Sequence, residues 1–274
     1  MSETAEARPT HIRSADGTEV AVHVSGTGRP LVMVPGVTSD HTTWRLAAPL
    51  LSQEVCVHAV DRRGRGDSGD GPDYAIEREY DDVAAVVDAA AEMAGTTVDL
   101  IGHSFGGNLA YGAMRRTDNV GRLVLYEGWP TPNAAHRATD PGLLEQLESL
   151  LAADRSDLML ETFYREVARM TEAEINGLKA APTWPIRVAA AGTVPRELRA
   201  FEADAFDAAV AATIDVPVLL LVGADSPAEL QADPEVVAAA LPDARIDVLA
   251  GQAHLAHLAD PETFTAHVLA FVRD

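Results

Sequence analysis

The sequence predicts an α/β fold with a doubly wound, mostly parallel sheet, and three observations carry that prediction. Short apolar runs alternate with helix-like segments along most of the chain. Most of these runs are continuous in apolar character rather than alternating, as expected of strands covered on both faces. One long interval, 128–213, carries helical patterns alone.

The strand-like runs are EVAVHV (19–24), LVMV (31–34), VCVHAV (55–60), VDLIG (98–102), RLVLYE (122–127), VPVLLLVG (216–223) and ARIDVLA (244–250). Helix-like segments fall between and after them at 76–94, 104–116, 234–241 and 261–272. The first of these lines up Val83, Val86, Val87 and Ala90 on one face. The interval 128–213 contains PGLLEQLESLLA, RSDLMLETFYREVARM, TEAEINGLKA and RELRAFEADAFDAAVAA. It reads as a helical insertion over one edge of the sheet, a lid rather than a domain that folds alone. The expected division is a core of 1–127 and 214–274 with a lid or cap of 128–213.

With 274 residues, 47% of them hydrophobic, the chain can bury the core of one sizeable domain. Its net charge is −21, with a single lysine, Lys179, which argues against nucleic acid and anionic membrane as partners. The acidic residues are scattered, as on a solvated surface. The start, MSETAEARPT, lacks a basic segment followed by an apolar run, and no stretch approaches the length of a membrane span. The single cysteine, Cys56, lies in a strand-like run. A cytoplasmic protein acting on a small molecule is the expectation, with a homodimer left open.

Gly102-His103-Ser104-Phe105-Gly106 satisfies G-x-S-x-G after a strand and at the opening of a helix. A sharp strand-to-helix turn lifts the serine hydroxyl clear of the sheet, and side chains two positions away would collide with the turn. The helix N-terminus lies beneath any oxyanion that develops there. Ser104 therefore reads as a nucleophile rather than part of a mere tight turn.

Five segments in order resemble the α/β-hydrolase superfamily, in its serine-nucleophile branch with a helical lid. VPGVTSDHTTW resembles the oxyanion loop, and DRRGRGDSG (61–69) resembles the loop after the fourth strand. GHSFGG is the elbow, VLLLVGADSP resembles the late strand that often carries the acid, and GQAHLAHLADPETF resembles the histidine segment. The resemblance covers nearly all of the chain and implies an eight-stranded sheet. It also explains DRRGRGDSG as a turn-forming loop; the phosphate-binding G-x-x-x-x-G-K-[ST] pattern is absent.

A serine needs a base within reach. Of nine histidines, His254 has the spacing and chain order of the family's histidine loop. His103 reads as structural within the elbow, and His23 and His58 fall in strands. His11, His41, His136 and His267 have no motif around them. His257 competes with His254, and His254, His257 and Asp260 have a spacing that a metal tolerates without a further ligand cluster. The resemblance offers two places for the orienting acid. Glu127 ends the strand 122–127, and Asp225 lies one place before the position, filled here by Ser226, where many members carry it. Glu127 is favoured and Asp225 is the alternative. The backbone N–H groups of Val37 and Phe105 are the expected oxyanion donors, although Pro35 stands where relatives commonly carry a histidine. Trp129 and His41 are the residues expected to border the substrate.

The resemblance implies a serine hydrolase that cleaves an ester, thioester or lactone of a small molecule through an acyl-enzyme. No G-x-G-x-x-G follows the first strand, and neither a cofactor nor a metal is expected. Alternatives on the same scaffold are carbon–carbon bond hydrolysis, haloperoxidase-like chemistry, acyl transfer and a non-catalytic ligand-binding role.

Overall fold

The computed structural model describes residues 8–133, 140–228 and 233–273. Eight strands form one sheet: β1 (Thr10–Arg13), β2 (Glu19–Ser25), β3 (Pro30–Val34), β4 (Cys56–Val60), β5 (Val98–His103), β6 (Val120–Tyr126), β7 (Val218–Gly223) and β8 (Ala244–Leu249). Their order across the sheet is β1-β2-β4-β3-β5-β6-β7-β8. The β1–β2 and β2–β4 pairs are antiparallel and the rest are parallel. β3, β5 and β7 are buried along their whole length, which is why their sequences are apolar without alternation.

The strand-like runs anticipated seven of these strands and missed β1. Its four residues, Thr-His-Ile-Arg, are mostly exposed and pair on one side only, with β2. A short, charged edge strand has neither the apolar run nor the length that marks a buried one.

The sheet is covered on both faces. One face packs α2 (Ile76–Ala94) and α3 (Phe105–Ala113) over Val32, Leu100, Leu123 and Leu220. The other packs α1 (Ala48–Leu51) and the C-terminal helix (Pro261–Arg273) over Met33, Ile101, Val124 and Leu219. In α2 the expected face of Val83, Val86, Val87 and Ala90 is buried, and Gly95 ends the helix at φ 66°, a left-handed cap that favours glycine.

Two boundaries differ from the sequence reading. α3 begins after Ser104, which has φ 55° and ψ −132° and so cannot belong to a helix, and it ends at Ala113. β6 stops at Tyr126, so that Glu127, at φ 45°, lies just beyond the strand.

Between β6 and β7 the described residues form no strand. They hold α4 (Pro141–Ala152), α5 (Ser156–Glu166), α6 (Glu172–Ala180), α7 (Trp184–Ala189), α8 (Val194–Ala203) and α9 (Ala208–Ala211). These helices build an apolar cluster of their own around Leu147, Leu160, Phe163 and Ile175, which also packs against Val37, Leu255 and Leu258. The insertion therefore rests on the loops that follow β3 and β8. α10 (Pro234–Ala240), α11 (Ala256–Ala259) and α12 (Pro261–Arg273) complete the chain. Among the described residues no helix is long and apolar enough to cross a membrane.

Register brings the strand ends together. Val34 pairs with Gly102, His103 with Tyr126, and Tyr126 with Leu221, while Gly223 pairs with Leu249. The loops carrying Val37, Ser104, Glu127, Ser226 and His254 consequently all leave the carboxyl end of one sheet, where open α/β sheets bind ligands.

Candidate active site

The Ser104 backbone occupies a region that non-glycine residues rarely adopt. Its turn is possible because of the glycines on either side. A Cβ on Gly106 would strike the carbonyl oxygens of Val34 and Pro35, and one on Gly102 would strike the Gly106 carbonyl. The Ser104 N–H donates to the Tyr126 carbonyl at 2.9 Å, tying the elbow to the end of β6. The Ser104 side chain is half-buried.

His254 meets Glu127. Its Nδ1 lies 2.7 Å from Glu127 Oε2, and the Glu127 side chain is wholly buried. A carboxylate accepts, so Nδ1 carries the hydrogen and Nε2 is left as an acceptor. The other carboxylate oxygen, Oε1, accepts from the Gly223 N–H at 2.6 Å and from the Ser226 hydroxyl. Asp225, the alternative acid, is exposed, and its N–H donates to Gln252 O at 2.9 Å.

The loop carrying His254 is gripped by two residues of the sheet ends. The Tyr126 hydroxyl donates to Ala253 O at 2.6 Å and accepts from the Ala256 N–H at 2.8 Å. His103 Nε2, from the residue before the serine, donates to the His254 carbonyl at 2.8 Å. Burial, then the neighbouring His257 and His254, push the His103 pKa well below the ordinary histidine value, so the ring stays neutral. Burial and the adjacent Glu127 charge hold Tyr126 well above the ordinary tyrosine value, so it keeps its proton for this bond. His257 is fully buried, stands 3.2 Å from Thr43 Oγ1, and is pushed down by burial and by Arg187.

Gly36 lies against Ser104. A Cβ there would come within 3.0 Å of Ser104 Cβ and 3.5 Å of its Oγ. The next residue is Val37, and Phe105 is the first residue of α3. Arg62 pins this loop by donating from Nη1 to Gly36 O at 3.0 Å. Pro35 has no side chain able to do so. Arg62 is itself buried between Glu79 (2.7 Å) and Glu197 (3.2 Å) of α8. Burial disfavours its charge, but Glu197 and Glu79 outweigh that and raise its pKa. The neighbouring arginines of DRRGRGDSG are likewise paired, Arg63 with Asp82 and Arg65 with Glu197, so the loop is a structural brace.

The remaining sequence candidates are placed as follows. Trp129 is buried in the apolar cluster on the α2 and α3 face. His41 Nδ1 lies 2.7 Å from Asp61 Oδ1, and its ring stacks on His23 at 3.4 Å between centroids. His23, His41 and Asp61 present their ligand atoms within 4.8 Å of one another. The Asp61 carboxylate, however, also accepts the N–H groups of His41 and Asp67, at 2.8 and 2.9 Å, which makes it the organiser of two loops. His136 lies outside the described residues. Sequence reasoning missed the roles of Tyr126, Ser226 and Arg62; the one usable signal was Ser226 in the place where relatives often carry the acid.

A 33% identical match over 132 residues pairs the chain with N-formylmaleamate deformylase of Pseudomonas putida, covering 47% of each. A 40% match over 119 residues pairs it with 2-hydroxymuconate semialdehyde hydrolase of a Pseudomonas species, covering 40% of each. These matches span about half the length of the curated relatives or less. The crystal structure of an alpha/beta hydrolase from Sphaerobacter thermophilus superposes with a TM-score of 0.84 at 31% identity, covering 96% of this chain and 100% of that one. The sequence model of the Alpha/beta hydrolase family matches residues 31–267, so the chain belongs to that family.

Proposed function

We propose that the chain is a serine hydrolase that cleaves an ester-type bond of a small molecule through an acyl-enzyme. The observation that carries this reading is the His254–Glu127 pair, held by Tyr126 and His103 against the strained elbow of Ser104. Ser104 Oγ attacks the scissile carbonyl while His254 Nε2 takes its proton. Glu127 holds the imidazole in the required tautomer and stabilises its charge once protonated. The Val37 and Phe105 N–H groups receive the oxyanion; one such donor typically contributes about 3–4 kcal/mol to the transition state. His254 then returns the proton to the leaving group, and water, activated by the same base, releases the acid.

The names of the two Pseudomonas relatives support hydrolysis, and the helices 141–211 act in this reading as a lid that shapes the substrate. The chain works without a cofactor or metal, in the cytoplasm. A fluorophosphonate probe tests the proposal: it labels wild type covalently, and Ser104→Ala abolishes the label. A folded wild type that resists labelling overturns it in favour of a non-catalytic binding role.

A further inference from the structure

Four arginines are buried in the described residues, and three of them face carboxylates: Arg62 with Glu79, Arg63 with Asp82 and Arg65 with Glu197. The fourth, Arg187 on α7, is 5% exposed and has no carboxylate partner among the described residues. Its Nη1 lies 2.7 Å from Ser39 Oγ and 3.4 Å from both Thr38 Oγ1 and Tyr164 OH, and its Nη2 is 3.3 Å from Thr43 Oγ1. Its Nε is buried with no acceptor at all. Hydroxyls alone do not neutralise a buried cation, and burying one without a counter-charge costs several kcal/mol per ion, roughly.

A second cation makes the imbalance larger. Arg45 is half-buried, also has no carboxylate partner among the described residues, and one of its Nη atoms is buried without an acceptor. Burial first, and then the repulsion of Arg187, depress its pKa. Of the four hydroxyls around Arg187, Thr38 and Tyr164 bond each other through one hydrogen and Ser39 donates to Val37 O at 3.4 Å, so the donors of this wall come chiefly from the two guanidinium groups.

This wall adjoins the reaction centre. Thr38 and Ser39 directly follow Val37, and Gly36 touches Ser104. Thr43 also reaches His257, three residues after His254. We infer that Arg187, assisted by Arg45, binds a carboxylate carried by the substrate at the end away from the scissile carbonyl. The site thus selects monoesters of dicarboxylic acids, or other acyl compounds bearing a free carboxylate, over neutral esters. A guanidinium suits a planar carboxylate because its fork matches two oxygens at once. The inference rests on the serine-hydrolase reading only for where the acyl group sits.

The test compares mono-p-nitrophenyl glutarate and adipate with the corresponding p-nitrophenyl methyl diesters, which keep the shape and remove the charge. Wild type is expected to favour the charged ester at least tenfold in kcat/KM at one of the two lengths. Arg187→Gln is expected to bring that ratio down to about one, and Arg45→Gln to lower it several-fold. Calorimetry with free glutarate and adipate, on wild type and Arg187→Gln, reads the anion site without any turnover. Should Ser104 resist the fluorophosphonate probe while Arg187 still governs diacid binding, the catalytic reading falls and the anion site stands. A ratio near one in wild type overturns the inference. So does an Arg187→Gln enzyme that loses both esters equally, which would make Arg187 a brace between α7 and the Thr38–Ser39 turn. If Arg187→Gln does not fold, Arg45→Gln and the wild-type ratio decide.

Discussion

The Ser226 hydroxyl donates to the same Glu127 carboxylate that receives His254 Nδ1. The oxygens are divided between them: Oε1 takes Ser226 and the Gly223 N–H, and Oε2 takes the imidazole. A residue at the place where many relatives carry the acid thus serves an acid from the neighbouring strand. Ser226→Ala should lower kcat about tenfold, the scale of one hydrogen bond to a charged group. With one donor fewer, Glu127 concentrates its charge on His254 and favours the imidazolium, so the acidic limb of the pH–rate profile moves to higher pH. An unshifted profile would assign Ser226 a packing role alone.

Removing the carboxylate itself should be far more damaging. Glu127→Gln presents an amide in place of the acceptor, disturbs the tautomer of His254 and should lower kcat by about three to four orders of magnitude. Asp225→Asn, at an exposed side chain, should stay within about twofold. Steady-state rates on one p-nitrophenyl ester decide between them, and the reverse ranking would move the acid to Asp225.

The Arg62–Glu197 contact joins the loop after β3 to α8. Both side chains are 1% exposed, so Glu197→Gln leaves Arg62 and Arg65 short of counter-charge. The expected loss is about 3–5 kcal/mol in denaturant unfolding. A loss under about 1 kcal/mol would show that Glu79 alone suffices to neutralise Arg62.

Gly106 tests the elbow. Its Cβ would meet two backbone carbonyls that belong to the end of β3 and cannot turn aside. Gly106→Ala should cost about 2–3 kcal/mol and reduce fluorophosphonate labelling in whatever protein remains folded. Undiminished stability and labelling would mean that β3 and α3 separate more easily than their packing implies.

Acid should destabilise the fold chiefly through two histidines, with His58, whose pKa burial also lowers, adding in the same direction. His103 and His257 are buried and their pKa values lie well below the ordinary 6.5, so the unfolded chain takes up protons that the folded chain refuses. Their stabilising effect is therefore present above pH 6.5 and is lost as pH falls below it. Each proton contributes a slope of about 1.4 kcal/mol per pH unit. His41 opposes this; burial works against its charge, but Asp61 prevails and its pKa is raised, so it gains stability on acidification. Unfolding free energies between pH 7 and 5.5 should show a net fall, and His257→Gln should flatten it by about one proton.

The parts of the site that sequence made legible are those fixed by short-range rules. The elbow glycines, the apolar run of β5 and the opening of α3 are all local, so Ser104 could be found without a fold. The histidine was reachable by spacing, and the pairing of His254 with Glu127 had to be weighed against Asp225. β1 was hidden because four exposed residues on one edge leave no periodic trace. Arg187, Arg62 and Tyr126 were hidden for another reason: their partners are 17 to 149 positions away, and only sheet register and the folding back of the insertion bring them together. A buried arginine looks like a surface one in sequence until its environment is known.

Tyr126 has a consequence for engineering. It accepts the Ser104 N–H on its carbonyl, precedes Glu127, and clasps the His254 segment with its hydroxyl, so Ser104, Glu127 and His254 form a cassette anchored to β5 and β6. Exchanging the segment between β6 and β7 for one from another hydrolase should therefore transplant selectivity while sparing the chemistry. Such a chimaera needs two grafted counterparts from the donor, one for Glu197 beneath Arg62 and one for Tyr164 beside Thr38, because those side chains tie the insert to the loop after β3.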